Sequence, residues 1–154
     1  MGELTMAIVL ATMTVMGVPA DKAQPSRKAT QVLCGAMNIY HESRGEPDLG
    51  MIAVAHVVRN RVKSKRRPNN TCDVVYQANQ FSWTNDGLSN IPDLDNPINR
   101  ESFIKSAWIH IVASNHEDIT NGSTHYHKVG HNPYWSYGMN TTAIIKDHIF
   151  YSDK

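Results

Sequence analysis

A single carboxylate at the end of an apolar helix is the feature of this sequence best suited to acid–base chemistry. Glu42 follows a segment, Val32 to Tyr40, whose apolar residues recur at helical spacing. The negative pole of a helix dipole lies at the C-terminal end, so a carboxylate there is disfavoured in its ionised form. Burial by Tyr40 and Trp83 would raise its pKa further and make it a general acid near neutral pH. The alternative is a surface glutamate paired with Arg44.

Three histidines offer a second kind of chemistry. His125, His127 and His131 have a spacing that suits Zn²⁺, for which histidine is a common ligand. The competing interpretation is strand alternation, in which the first two side chains share one face and hydrogen-bond to backbone or substrate. No cysteine or HExxH element lies nearby. We therefore expect no metal site and no cofactor.

A basic run follows the second predicted helix. Its default interpretation is a solvated helix face, and its functional interpretation is attraction to an anionic wall polymer or membrane surface. The whole chain carries 15 Lys and Arg against 14 Asp and Glu, a net charge of +1, which argues against a nucleic-acid partner. The run comprises Arg59, Arg61, Lys63, Lys65, Arg66 and Arg67.

The length of 154 residues corresponds to one compact domain, and 41% hydrophobic residues with 19% charged exclude wholesale disorder. The apolar run 7–18 is shorter than the ~20 residues of a membrane span. It has the length of a signal-peptide core, although a packed helix is the alternative. We expect residues 1–29 to be this segment and a linker, and residues 30–154 to be the functional domain.

Four helices and a small sheet must position these side chains. Apolar spacing predicts helices over 30–42, 48–63 and 99–115, with Thr30 as a cap of the first. A short helix capped by Thr71 should run to residue 76. Helices first and a small sheet later predict a mostly helical α+β single domain.

Strand-like segments occur at 124–127 and 143–151, around a loop rich in Gly, Asn and Pro. The aromatic segment 80–83 precedes Asn-Asp-Gly at 85–87, which is a strong turn signal and predicts a β-hairpin.

The segment 38–47, NIYHESRGEP, resembles the catalytic core of SleB-type cell-wall hydrolases, the spore-cortex-lytic family. The resemblance spans about residues 31–151 in family order. It continues through GxIAVAxVVxNRV at 50–62, PN at 68–69, CDVVYQ at 72–77, QFSW at 80–83, HYH at 125–127, PxW at 133–135 and HIFY at 148–151.

This resemblance implies a lysozyme-like fold of the lytic-transglycosylase type and cleavage of peptidoglycan glycan strands. The pair Glu42-Ser43 is similar to the Glu-Ser motif of soluble lytic transglycosylases, in which the glutamate is the sole acid/base catalyst. Cleavage would leave a 1,6-anhydro sugar. The alternative is a hydrolytic muramidase, which usually needs a second carboxylate, for which Glu46 and Asp86 are candidates.

The same resemblance suggests a cleft wall and a groove. Trp83 would stack on a sugar face, and the other aromatic residues, Tyr134 and Tyr137 included, could line the same groove. The expected substrate-binding residues are Ser43, Gln80, Phe81, Ser82, Trp83, Tyr126, His127 and Trp135.

Two cysteines, Cys34 and Cys72, permit one disulfide or two buried thiols. An exported wall enzyme would carry them bonded. We expect a monomer that acts at the cell wall, whether exported, periplasmic or released by a phage. The remaining function hypotheses are a zinc amidase that uses the three histidines and a non-enzymatic wall-binding module.

Overall fold

The computed structural model describes residues 26–153. The predicted apolar run 7–18 lies outside the described residues, as does most of the predicted N-terminal segment. Helix α1 spans Arg27–Ser43 and begins before the expected position, because Ser26 and not Thr30 is its N-cap. The Ser26 hydroxyl oxygen accepts a hydrogen bond from the Ala29 N–H at 3.2 Å. Residues 27–29 therefore form the first turn of this helix.

Three further helices follow. Helix α2 has the predicted bounds, whereas Asn70 caps α3 in place of Thr71, and Asn96 caps α4, which begins two residues before its expected start. Within residues 26–153, no helix combines the length and hydropathy that crossing a membrane requires. The helices are α2 Asp48–Lys63, α3 Thr71–Val75 and α4 Pro97–Ser114.

The chain then forms a three-stranded antiparallel sheet in the order β1-β3-β2. The strands are β1 His125–Lys128, β2 Asn140–Ile145 and β3 His148–Ser152. The predicted strand 143–151 is divided into two by a turn at Lys146, whose φ is 52°. The expected class, a mostly helical α+β domain with a small sheet, is confirmed.

The predicted hairpin over 80–87 is wrong. This segment contains a 3₁₀ helix, Ser82–Thr84, and no strand. The cause is burial: the indole N–H of Trp83 donates a hydrogen bond to Asn38 Oδ1 of α1 at 3.2 Å. A buried indole needs such an acceptor, and the contact draws the segment onto α1.

Close packing of the helices leaves the sheet on one side of α2. Gly35 of α1 lies against His110 of α4, where a Cβ atom would overlap the imidazole ring. Helix α2 shares one buried cluster with Ile109 of α4, through Met51 and Ala55, and another with Phe150 of β3, through Ala53 and Val57. Helix α2 is therefore the layer that joins the helical part to the sheet.

Hydrogen bonds from α2 fix the start of β1. Asn60 Nδ2 donates to Asp118 Oδ2 at 2.8 Å and to the Ser123 carbonyl at 3.0 Å. Arg61 Nε donates to the Thr124 carbonyl at 2.7 Å. These contacts set the position of β1 against the helices.

A disulfide joins Cys34 of α1 to Cys72 of α3 and closes a loop with a sequence separation of 38. Cross-linking a loop of this length reduces the entropy of the unfolded chain and contributes up to ~4 kcal/mol in the chain-entropy model. The bond ties α1, which carries Glu42, to the segment that leads into residues 79–85.

We expect reduction of this disulfide to lower the free energy of unfolding by about 2–4 kcal/mol. Urea unfolding monitored by circular dichroism, with and without dithiothreitol, measures the difference. The control is a Cys34→Ala/Cys72→Ala double variant, which should be as unstable as the reduced protein and insensitive to reductant. Equal midpoints for the oxidised and reduced wild-type protein would contradict the expectation.

Candidate active site

Glu42 lies on the last turn of α1 and faces a cleft of about 810 Å³ between the helices and the sheet. Residues 79–85 form one wall, and β1 with the segment that follows it forms the other. The residues that line the cleft are Glu42, Arg61, Asn79, Gln80, Phe81, Ser82, Asn85, His125, Tyr126, His127, His131, Pro133 and Trp135.

The Glu42 carboxylate is held by a tyrosine of the β1 wall. The Tyr126 hydroxyl donates a hydrogen bond to Glu42 Oε2 at 2.8 Å. Tyr126 is fixed in turn by its place in β1, where it pairs with Phe150 of the central strand. Burial and the adjacent carboxylate raise the pKa of Tyr126 well above its usual value, so the phenol remains a donor.

Burial raises the pKa of Glu42 above its ordinary value, and this effect exceeds the opposing effects of its neighbours. The hydrogen bond from Tyr126 and the charges of Arg61 and Lys128 all lower that pKa. The predicted alternative, a surface pair with Arg44, is not formed, because Arg44 donates to the Tyr40 carbonyl at 3.2 Å. Glu42 therefore keeps its proton to higher pH than an exposed glutamate.

Arg61 is a buried cation beneath the same cleft. It is only 4% exposed, and its guanidinium carbon lies 4.8 Å from the centroid of the Phe81 ring. Burial lowers the pKa of Arg61 to about 10, so it remains charged at neutral pH. The predicted place on a solvated basic face is therefore wrong for this residue. Its spacing from Val58 and Val54, three and seven residues earlier, is the signal that puts it on the buried stripe.

Hydrogen bonds from Arg67 join the two walls of the cleft. Its Nη1 donates to Gln80 Oε1 at 2.8 Å, and its Nη2 lies 3.3 Å from His125 Nε2. Burial, then the charges of Arg61 and Arg67, lower the pKa of His125 to about 4. His125 is therefore neutral at pH 7, with Nε2 accepting from Arg67 and Nδ1–H donating to the Thr124 hydroxyl at 3.0 Å.

The histidines do not converge on a metal. Both ring nitrogens of His125 are engaged as described, and so are those of His127. His127 Nδ1–H donates to the Lys128 carbonyl, and Nε2 accepts from the Tyr151 hydroxyl, each at 2.8 Å. Among residues 26–153, no group of three or more His, Cys, Asp or Glu has an arrangement that could hold a metal ion. The geometry gives no support to the zinc amidase hypothesis.

Two of the predicted substrate-binding residues do not reach the cleft. Ser43 is buried, and its hydroxyl donates to the Ile39 carbonyl at 3.1 Å, within the helix. Trp83 is 6% exposed and stacks on His41 with ring centroids 4.5 Å apart. Trp83 therefore supports the wall from behind and offers no face to a sugar. The other six predicted residues, Gln80, Phe81, Ser82, Tyr126, His127 and Trp135, line the cleft.

The basic run is also smaller than predicted. Besides the buried Arg61 and the cross-linking Arg67, Arg59 is engaged: its Nη1 donates to the carbonyls of Ala113 and His116 at 2.9 and 3.1 Å. The other cations of the run are Lys63, Lys65 and Arg66.

Comparison with known proteins agrees with the resemblance found in the sequence. The chain is 38% identical over 80 residues to a spore cortex-lytic enzyme of Bacillus cereus, a match that covers 46% of this chain and 31% of the relative. The Bacillus subtilis spore cortex-lytic enzyme is 38% identical over 52 residues, 34% of this chain and 17% of the relative. The chain thus spans about a third or less of the curated relatives it matches.

Solved structures match over more of the chain. The catalytic domain of the germination-specific lytic transglycosylase SleB from Bacillus anthracis superposes with a TM-score of 0.65 at 27% identity, covering 88% of this chain and 100% of that domain. The catalytic domain of the Bacillus cereus SleB protein gives a TM-score of 0.65 at 25% identity, covering 88% and 99%.

The family model described as Cell Wall Hydrolase matches residues 45–151, and Glu42 lies just before this range. Because the match extends over more than half of the sequence, this chain belongs to the cell wall hydrolase family.

Proposed function

We propose that this protein is a lytic transglycosylase that cleaves peptidoglycan glycan strands between N-acetylmuramic acid and N-acetylglucosamine, with Glu42 as the sole general acid and base. The observation that carries the proposal is that Glu42 is the only Asp or Glu among the described residues that line the cleft. The similarity to a SleB domain described as a lytic transglycosylase supports it.

In the first step the Glu42 carboxyl group donates its proton to the glycosidic oxygen. The bond between that oxygen and the anomeric carbon of the muramoyl unit breaks, and the glycan end leaves as an alcohol. A general acid works best when its pKa lies near the working pH. The burial that raises the pKa of Glu42 supports this role.

In the second step the Glu42 carboxylate takes the proton of the muramoyl 6-hydroxyl, whose oxygen attacks the anomeric carbon. This closes a 1,6-anhydro ring and returns Glu42 to its protonated form. Because the nucleophile belongs to the substrate, the attack gains the advantage of an intramolecular reaction. Tyr126 would hold the carboxylate in place for this step, and the buried charge of Arg61 would stabilise it.

The alternative is hydrolysis of the glycosidic bond with the help of a second carboxylate. Retaining and inverting glycosidases place two carboxyl groups on either side of the scissile bond. Glu46 and Asp86, the two candidates, are both absent from the residues that line the cleft. A water nucleophile would therefore lack a carboxylate partner other than Glu42.

We also propose that the enzyme acts at the cell wall, as a monomer and without a cofactor. Lys63, Lys65 and Arg66 are the cations through which it would contact an anionic wall polymer or membrane surface.

The products released from purified sacculi test this proposal. We expect muropeptides that end in 1,6-anhydromuramic acid, which are lighter by one water than the corresponding reducing ends. Mass spectrometry of the soluble fraction distinguishes the two.

Products with only reducing-end muramic acid would contradict the transglycosylase step. They would indicate a hydrolytic muramidase in which Glu46 or Asp86 is the second carboxylate. Released stem peptides with intact glycan strands would instead support an amidase.

A further inference from the structure

Three aromatic side chains lie on a short 3₁₀ helix, Tyr134–Gly138, beside the cleft. Trp135 is 40% exposed and lines the cleft. Tyr134 and Tyr137 are 91% and 75% exposed and lie outside the cleft. The same 3₁₀ helix thus carries one aromatic ring in the cleft and two on the outer surface.

The two tyrosines form a pair. Their ring centroids are 6.4 Å apart, and the ring planes are inclined at 63°. Both rings remain largely in water, so they contribute little to the stability of the fold, whereas covering an aromatic ring on binding is favourable. Exposed apolar surface that adjoins a ligand cleft commonly marks an extension of the binding site.

The segment that carries the two tyrosines is anchored to the sheet. Trp135 lies between the two tyrosines in the sequence. Its ring packs against those of His125, His127 and Tyr151, with centroid distances of 5.4, 5.7 and 5.6 Å. The Ser136 hydroxyl and N–H both donate to the Pro133 carbonyl, at 2.8 and 3.0 Å. The tyrosine pair is therefore held at a fixed place relative to Glu42.

We propose that Tyr134 and Tyr137 form a distal subsite that binds a pyranose ring of the glycan strand beyond the sugars on either side of the cleaved bond. This inference rests on the proposed function. A strand that leaves the cleft over Trp135 passes the 3₁₀ helix that carries these rings, and the apolar face of a pyranose matches an exposed phenol ring. The contact is made equally before and during the reaction, so it contributes to affinity and leaves turnover unchanged.

The test compares long and short substrates. In a Tyr134→Ala/Tyr137→Ala double variant, we expect KM for full-length glycan strands to rise about tenfold, with kcat unchanged. On the shortest fragment that the wild-type enzyme still cleaves, the variant and the wild-type enzyme should be equal. Tyr134→Phe/Tyr137→Phe, which keeps the rings, should behave like the wild-type enzyme.

Two results would overturn the subsite: an unchanged KM on long strands, or an equal loss on long and short substrates. Trp108→Ala is the matched control, since Trp108 is an exposed aromatic residue on α4, which contributes no residue to the cleft.

A binding measurement separates this inference from the proposed function. Co-sedimentation with intact sacculi, in a Glu42→Gln background, should weaken about tenfold when both tyrosines are replaced by alanine. If the wild-type protein failed to cleave glycan but its binding still depended on the tyrosines, the proposed function would fail and the subsite would stand. Cleavage with tyrosine-independent binding would overturn the subsite and leave the proposed function in place.

Discussion

Replacing Glu42 by glutamine is expected to lower the rate of sacculus solubilisation by about 10²–10⁴-fold or more, because general acid–base groups contribute that much and one group serves both steps here. The amide has nearly the same shape as the carboxyl group but can neither donate nor accept the catalytic proton. Turbidity loss of purified sacculi and chromatography of the released muropeptides measure the rate.

The fold should survive this substitution. The raised pKa of Glu42 means that its ionised form is disfavoured in the folded protein, so above that pKa the carboxylate destabilises the fold. The glutamine variant should therefore unfold at the same temperature as the wild-type protein or higher at neutral pH. Glu101→Gln, an exposed glutamate on α4, is the matched control. Near-native turnover by the Glu42→Gln variant would refute the central assignment.

Replacing Tyr126 by phenylalanine is expected to reduce turnover about tenfold to a hundredfold, since hydrogen bonds to charged groups contribute ~1.5–3 kcal/mol. The loss should come with a change in pH dependence. The hydrogen bond from Tyr126 lowers the pKa of Glu42, so its removal raises that pKa further. Because the first step needs the protonated acid, the limb on which activity falls as pH rises should move to higher pH. The pH profile of kcat/KM on soluble glycan strands measures both effects.

Tyr76→Phe is the control for the loss of a hydroxyl. Tyr76 packs against Trp83 and lies outside the residues that line the cleft. A fall in rate for Tyr126→Phe without any movement of the pH profile would contradict this expectation and would mean that the hydroxyl positions Glu42 without setting its pKa.

Local patterns predict the helical part of the fold well. The bounds of α2 follow from its apolar stripe and from Pro47 before its first turn. Glu42 is identifiable as a candidate acid because the end of α1 and the Glu-Ser pair coincide. Both signals lie within a few residues of the feature they predict, so no tertiary contact is needed to read them.

Long-range contacts account for the errors. The local pattern assigns Trp83 to a hairpin and the resemblance assigns it to the substrate, but its indole binds Asn38, 45 residues earlier. The charge of Arg61 suggests a solvated face, whereas its acceptor is the Thr124 carbonyl, 63 residues away. Neither partner is visible in the segment that surrounds the residue.

The strand order has a consequence for when the cleft is completed during synthesis. Glu42 and Tyr126 are 84 residues apart, and Tyr126 is held by pairing with β3, the central strand, which is the last described element to be made. Contacts between distant segments form late because closing long loops costs entropy. A nascent chain that has not reached residues 148–152 therefore carries Glu42 without its partner, and the order of translation delays completion of the cleft until the sheet can close.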